Sequence, residues 1–129
     1  MASLDPSNTQ LAAAMAAAAD NDGPVVMVNL LKFAPDGVAN YQRYSKEVLP
    51  LMHAVGATLL YAGHASHVVV GDIDRPWWDA IAIIQYPSRT AFLAMATSDD
   101  YRRHAHHHRQ VALESTHLIA TDPWEEPAQ

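Results

Sequence analysis

Four of the chain's eight histidines fall within five positions, in the run Arg102-Arg103-His104-Ala105-His106-His107-His108-Arg109. Imidazole has the side-chain pKa nearest neutrality and is a common metal ligand, so the run admits acid–base catalysis, metal binding or a wet basic surface. On a helix capped by Ser98, Tyr101, His104, Ala105, His108, Val111 and Ala112 form one stripe at three- and four-residue steps. His104 and His108 therefore face the core, while Arg103, His107, Gln110, Glu114 and also His106 are expected in solvent. His108 is the candidate proton carrier, because partial burial tunes an imidazole toward general acid–base work. Its neighbour Arg109 could hold an anionic or carbonyl oxygen. The spacing of His104 and His108 also suits two ligands of one metal, with a third sought among His64, His67, Asp79 and His117. Nothing local demands a metal, and none is assigned. The bland alternative is a histidine cluster at the surface, with His108 bonded to a strand or a buried carbonyl.

Other polar residues sit where chemistry could use them. Asn29 is the uncharged polar residue in the middle of an apolar run, and a buried amide must find partners or cost stability. It could orient a ligand carbonyl or merely bond a neighbouring strand. Asp79, after Trp77-Trp78, is a candidate base or imidazole-orienting group, with a salt bridge as the plain alternative. Tyr44 and Trp78 are candidate pocket walls, although Tyr41, Tyr44 and Trp78 equally suit a core. His64 and His67 point to opposite faces of one strand, so at most one can line a given cavity. No phosphate-cradling glycine loop, nucleophile elbow or HExxH motif occurs, and no cofactor is expected.

The elements that must position these residues are readable from period and punctuation. Ser7-Asn8-Thr9 caps an alanine-rich helix that stops at Asp20-Asn21-Asp22-Gly23-Pro24. Residues 25–33 (VVMVNLLKF) are apolar in both parities and form a strand covered on two faces. Tyr41, Tyr44, Val48, Leu51, Met52 and Val55 recur at helical spacing up to Gly56, with a kink or break expected at Pro50. Residues 58–70 and 78–86 form a hairpin with a long loop. Ser88 caps a helix over residues 89–96, Ser98 caps a second to about Leu113, and residues 117–121 close as a strand. The order is βαββαβ, an α+β ferredoxin-like plan with one extra N-terminal helix in residues 1–23. Apolar residues on both sheet faces require a second cover, and another copy of the same sheet is the simplest. A homodimer is expected.

Composition narrows the class. The chain has 129 residues, one domain's worth, and no cysteine, which removes disulfides, thiolate metal sites and cysteine nucleophiles. A formal charge of -6 with eight Lys plus Arg argues against a nucleic-acid partner. No apolar run is long enough to span a bilayer, and no basic segment precedes the alanine-rich stretch as in a signal peptide. A soluble, cytoplasmic protein is expected.

An ordered set of short pieces resembles a known family. It comprises Asp5-Pro6-Ser7, Asp22-Gly23-Pro24, VVMVNLLKF, Tyr41 with Tyr44, and Gly56-Ala57. Further on come Trp78-Asp79, Gln85-Tyr86-Pro87-Ser88-Arg89, Ala91-Phe92-Leu93, Tyr101, His108-Arg109, Ala112-Leu113-Glu114 and Leu118-Ile119-Ala120-Thr121. Nearly end to end the chain is similar to the small dimeric α/β-barrel proteins grouped as domain of unknown function 1330. The resemblance implies the barrel fold and dimerisation, and it covers His108-Arg109 but not His104, His106 or His107. Reactions across that wider superfamily differ, so fold does not fix chemistry. Residues and resemblance together give an enzyme acting by acid–base chemistry on a small, apolar, carbonyl-bearing substrate, of cyclase, isomerase or cofactor-free monooxygenase type. His108 would shuttle the proton, Asn29 and Arg109 would hold charge on oxygen, Asp79 would assist, and His104, Tyr44 and Trp78 would line the site. The rivals are a non-catalytic binding or sensing module and a metal or haem protein using His104 and His108.

Overall fold

In a computed structural model, which describes residues 3–73 and 78–124, the apolar run of Val25–Phe33 is β1, an inner strand of a four-stranded antiparallel sheet. The order is β2-β3-β1-β4, with β2 at Thr58–His64, β3 at Ala80–Tyr86 and β4 at Leu113–Thr121. Helix α2 (Gly37–Ala54) links β1 to β2. Helix α3 (Arg89–Ala96), a π-helical turn (Tyr101–Ala105) and α4 (His106–Ala112) link β3 to β4. The two βαβ halves form the expected ferredoxin-like α+β plan, preceded by α1 (Asn8–Asp20). Ser7 starts α1 with a reciprocal cap, its Oγ accepting from the Gln10 backbone N–H while Gln10 Oε1 accepts from the Ser7 N–H.

Strand alternation sorts β1. Val25, Met27, Asn29 and Leu31 are buried on the helix side, whereas Val26, Val28 and Leu30 face the other way and are half-buried. Register carries the same split outward. Val28 lies between Ile83 and Ile119, and Asn29 lies between Ala82 and Leu118. The helix-side core joins Val25, Met27 and Tyr86 to Val48 and Met52 of α2 and Met95 of α3. The opposite face, carrying Val26, Val28, Leu30, Ile81, Ile83 and Ile119, is apolar and among the described residues has no helix over it.

Several boundaries differ from those read in the sequence. Strand β2 ends at His64 rather than Val70, because its ladder with β3 closes where His64 meets Ala80 and the Ala65 N–H bonds the Asp79 carbonyl. Val69 and Val70 beyond it are 83% and 90% exposed. Strand β3 starts at Ala80 rather than Trp78, since the Asp79 N–H turns to the Leu31 carbonyl. Strand β4 begins at Leu113, four residues before His117, because Leu113 pairs with Phe33 across a register shift. Helix α2 runs without interruption through Pro50. Pro50 and Lys46, whose carbonyl loses its donor, both lie on the exposed side, where water can replace that bond. Gly56 ends the turn after α2 at φ 81°.

Gly37, at the start of α2, is packed against the Ala112 carbonyl, and a Cβ there would overlap that backbone oxygen and press on Phe33 Cβ. Gly37→Ala should therefore cost about 1–3 kcal/mol in urea unfolding despite alanine's better helix propensity. Val38→Ala, at the exposed adjacent position, should stay within about 0.5 kcal/mol.

Candidate functional site

Between the helix side of the sheet and α1, α2, α3 and the π turn lies a cavity of about 980 Å³. Met27, Asn29, Ala82, Ile84 and Leu118 form its floor, Tyr41, Tyr44, Val48 and Met52 one wall, and Leu4, Leu11 and Ala14 its cover. The mostly apolar lining carries a few inward polar groups, the composition of a small-molecule site.

The π turn decides which residues of the histidine run reach this space. The His106 N–H bonds the Tyr101 carbonyl, five residues back, so this turn holds one residue more than an α-helical turn. Everything after it is rotated by about 100° relative to an unbroken α-helix. Tyr101 remains inward, but the inward positions then become Ala105, Arg109 and Ala112, with Ala105 and Ala112 fully buried and Arg109 7% exposed. His106 reaches the cavity wall. This corrects the sequence-based placement of four residues. His104 is exposed, Val111 is 41% exposed, His108 packs beside His107 outside the cavity, and His106 is not a solvent-facing bystander. His107 is exposed, as its helical position implied.

Of the other sequence-derived candidates, Asn29, Tyr44 and Arg109 meet at the cavity, while Asp79 and Trp78 do not line it. Asp79 Oδ2 accepts from the Phe33 backbone N–H at 2.8 Å and its Oδ1 lies 3.7 Å from Lys32 Nζ, which makes it a clasp on the end of β1. Trp78 stacks beside His117, ring centroids 5.1 Å apart. Among the described residues no three His, Asp or Glu side chains converge, so the spacing of His104 and His108 finds no third ligand there.

Sequence reasoning missed a polar cluster where the N-terminal segment crosses α4. Asp5 Oδ1 lies 2.9 Å from His106 Nε2 and accepts from Gln110 Nε2 at 2.9 Å. Arg109 Nη1 donates to the Leu4 carbonyl at 2.6 Å. Deeper in, the hydroxyls of Tyr44 and Tyr101 are 3.1 Å apart. Asn29 Nδ2 donates to the Ala82 carbonyl at 3.3 Å, and among the described residues its second N–H and its Oδ1 have no other partner. The signal for the π turn lay in two counts that disagree. Forward from Tyr101 the helical stripe reaches His104 and His108, whereas back from Leu113 it reaches Arg109 and His106. A one-residue conflict between two apolar anchors is what an inserted residue produces.

Burial governs the phenols. It pushes Tyr41 up to about 12, partly offset by the Arg109 charge, and it pushes Tyr44 well above its ordinary value, with Tyr101 and Tyr41 adding in the same direction. Tyr86 is raised too, again by burial. At neutral pH these three are uncharged and can act as hydrogen-bond donors, not as bases.

Fold and cavity define a ferredoxin-like α+β domain with a small-molecule-sized space between sheet and helices. Residues 31–122 match the family described as Domain of unknown function (DUF1330), and the chain belongs to that family. It is 30% identical to a solved protein of unknown function from Rhodopseudomonas palustris, over 97% of this chain and 99% of that one, with a TM-score of 0.82. More distant in sequence are a NIPSNAP-like domain protein from Burkholderia xenovorans and a dimeric ferredoxin-like protein of unknown function from Jannaschia. The first is 12% identical over 83% of this chain and 92% of that one, with a TM-score of 0.57. The second is 8% identical over 78% and 100%, also with a TM-score of 0.57. These two bear on the fold alone. No curated protein matches the chain. Among the described residues, no helix is long and apolar enough to cross a membrane.

The raised phenol pKa values set an alkaline limit. A tyrosine whose folded pKa exceeds its unfolded one holds its proton better when folded, so its contribution is complete below the unfolded value and is lost as pH rises through the folded one. Stability should therefore fall as pH rises from 10 toward about 12 through Tyr41, with Tyr44 and Tyr86 acting in the same direction. Tyrosinate absorbance in an alkaline titration should show Tyr41 ionising only near pH 12, and Tyr44 and Tyr86 only with unfolding. Ionisation of all five tyrosines while the circular dichroism stays native would contradict this.

Proposed function

We propose that this protein binds a small, largely apolar, carbonyl-bearing molecule in the cavity and performs acid–base chemistry on it. The observation that carries the reading is the convergence of a few polar groups on an otherwise apolar space of about 980 Å³. Asn29 offers a spare donor and acceptor from the floor, and the Tyr44–Tyr101 pair offers hydroxyls from the wall. In such a pair one hydroxyl donates to the other, which leaves the second proton for a ligand oxygen. Preorganised donors of this kind hold developing negative charge on oxygen. Proton transfer falls to His106 in place of His108, and Asp5 takes the orienting role assigned from sequence to Asp79. When His106 donates its Nε2–H to Asp5, Nδ1 is the ring nitrogen left to accept a proton, and Gln110 Nε2, 3.0 Å from the same Nε2, directs its own N–H to Asp5.

The working unit in this reading is a homodimer. The helix-free sheet face bearing Val28, Leu30, Ile83 and Ile119 supports it, as does the likeness of fold to a Jannaschia protein described as dimeric. Such a face is a large apolar patch unless a partner covers it. A second reading, a binding module without catalysis, is favoured by one specific contact: His106 Nε2 is already engaged by Asp5 and so is not free for a ligand.

Proton abstraction beside a carbonyl can be followed without knowing the natural substrate. In deuterated water, the protein should accelerate exchange of the α-hydrogens of an enolisable aryl ketone, read by NMR. His106→Ala should slow that exchange by about 10²–10⁴-fold, and His108→Ala should leave it unchanged. Binding of the ketone without exchange would establish the binding-module reading; no binding at all would sink both. Separately, Ile83→Asp should convert a sedimenting dimer to monomer, and a wild-type chain that sediments as a monomer would remove the dimer from the proposal.

A further inference from the structure

Arg109 is 7% exposed, and among the described residues no carboxylate lies within ion-pair distance of it. Lys32, Arg89 and Arg102 have acidic partners in Asp79, Asp122 and Asp99, and Arg43, Lys46 and Arg103, which have none among the described residues, are exposed. A guanidinium cannot shed its charge in a protein, so burying one without a counter-charge is costly. Among the described residues its one hydrogen bond runs from Nη1 to the Leu4 carbonyl, which leaves most of its five N–H donors unused. None of its nitrogens is sealed away without a partner, so the unused ones border open space, and the space that Arg109 lines is the cavity.

What surrounds the guanidinium points the same way. The Tyr41 and Tyr44 hydroxyls are close enough to feel its charge, and both are uncharged donors. Tyr101 reaches the site through its hydroxyl contact with Tyr44. The acid nearest along the chain to its Leu4 anchor, Asp5, directs Oδ1 to His106 and Gln110. A cation flanked by neutral donors, at the edge of an apolar cavity, is an incomplete anion site. One guanidinium and a few phenols match a carboxylate monoanion. A phosphate dianion, with more charge to balance, would call for further cations.

We infer that the cavity's ligand is an amphipathic carboxylate, its carboxylate held by Arg109 and its apolar body lying along Met27, Met52 and Ile84. This rests on the proposal that the cavity is a small-molecule site and specifies the charge of what it takes. The arginine's burial is tolerated in the free protein through the Leu4 carbonyl and is compensated fully only when the anion arrives. The fork then forms two parallel N–H···O bonds to the ligand.

The test compares naphthoate with naphthamide, two probes of like shape and different charge, by calorimetry on the full chain. Wild-type protein should bind naphthoate about tenfold or more tighter than the amide, the value of charge-assisted over neutral hydrogen bonds. Arg109→Gln should abolish that preference while keeping amide binding, and Arg109→Lys should retain part of it. A co-crystal with bromonaphthoate needs no variant and should locate the carboxylate within hydrogen-bond reach of Arg109. Equal binding of both probes by wild type would overturn the anion inference and leave the cavity proposal standing. Binding of neither would overturn both. A preference that survives in folded Arg109→Gln, or a carboxylate found away from Arg109, would assign the residue to anchoring Leu4 alone.

Discussion

One hydrogen bond sets the chemistry of the site: the His106 N–H to the Tyr101 carbonyl, which closes a π-helical turn. Without that extra residue, the helix leaving Ser98 would carry His104 and His108 inward and turn Arg109 toward solvent. With it, Tyr101 keeps its hydroxyl beside Tyr44, and a buried arginine arrives two turns later. In an unbroken α-helix Arg109 would lie about 80° round from Tyr101, at the edge of the stripe that holds His104 and His108. The turn costs some helical hydrogen bonding, and what it gains is the juxtaposition of a cation, a tyrosine pair and an imidazole at one cavity.

This is also where the sequence ceased to be readable. β1 was legible to the residue, because a nine-residue run that is apolar but for Asn29 and Lys32, bounded by Pro24 and the Pro35-Asp36-Gly37 turn, leaves little choice. Helix α3 and the start of α1 were legible because Ser88 and Ser7 are side-chain caps, with Oγ accepting from Ala91 and Gln10. Asn29 could be singled out as a polar residue at an apolar position, and Arg109 only as the neighbour of His108. Periodicity, however, assumes a constant angle per residue, and a single π turn shifts every later position. The end of β2 was hidden for a different reason. Val68, Val69 and Val70 have high strand propensity, but propensity is realised only where a partner strand exists, and β3 begins at Ala80.

The sheet divides its labour by parity. The odd residues of β1 build the core and floor the cavity, and the even residues present an apolar face away from the helices. Asn29 is the polar exception on the odd side, flanked in register by Ala82 and Leu118. A small neighbour such as Ala82 leaves room above the amide, whereas a larger residue would fill it. The cavity is thus partly a consequence of small side chains on β3 opposite long ones on α2.

Family membership and site composition overlap only in part: Tyr44, Tyr101, His106 and Arg109 lie within the matched residues. The family match begins at residue 31, yet Leu4 and Asp5, which tie down the inward residues of α4, and Asn29 on the floor all precede it. The cover they belong to is held differently from the rest of the fold. Helix α1 has no buried residue. Polar bonds fasten this N-terminal region alongside the packing of Leu4 on the cluster of Leu31, Ala112 and Leu113: Arg109 to the Leu4 carbonyl, His106 and Gln110 to Asp5, and the Thr90 N–H to Asp22. Each such bond is worth about 1 kcal/mol net, somewhat more where a charge takes part. Parting α2 from the sheet would instead expose Val48 and Met52, at about 1.5–3 kcal/mol for each buried side chain, along with everything packed on them. The bonds that hold the N-terminal cover thus include those made by Arg109 and His106, the same residues that line the cavity.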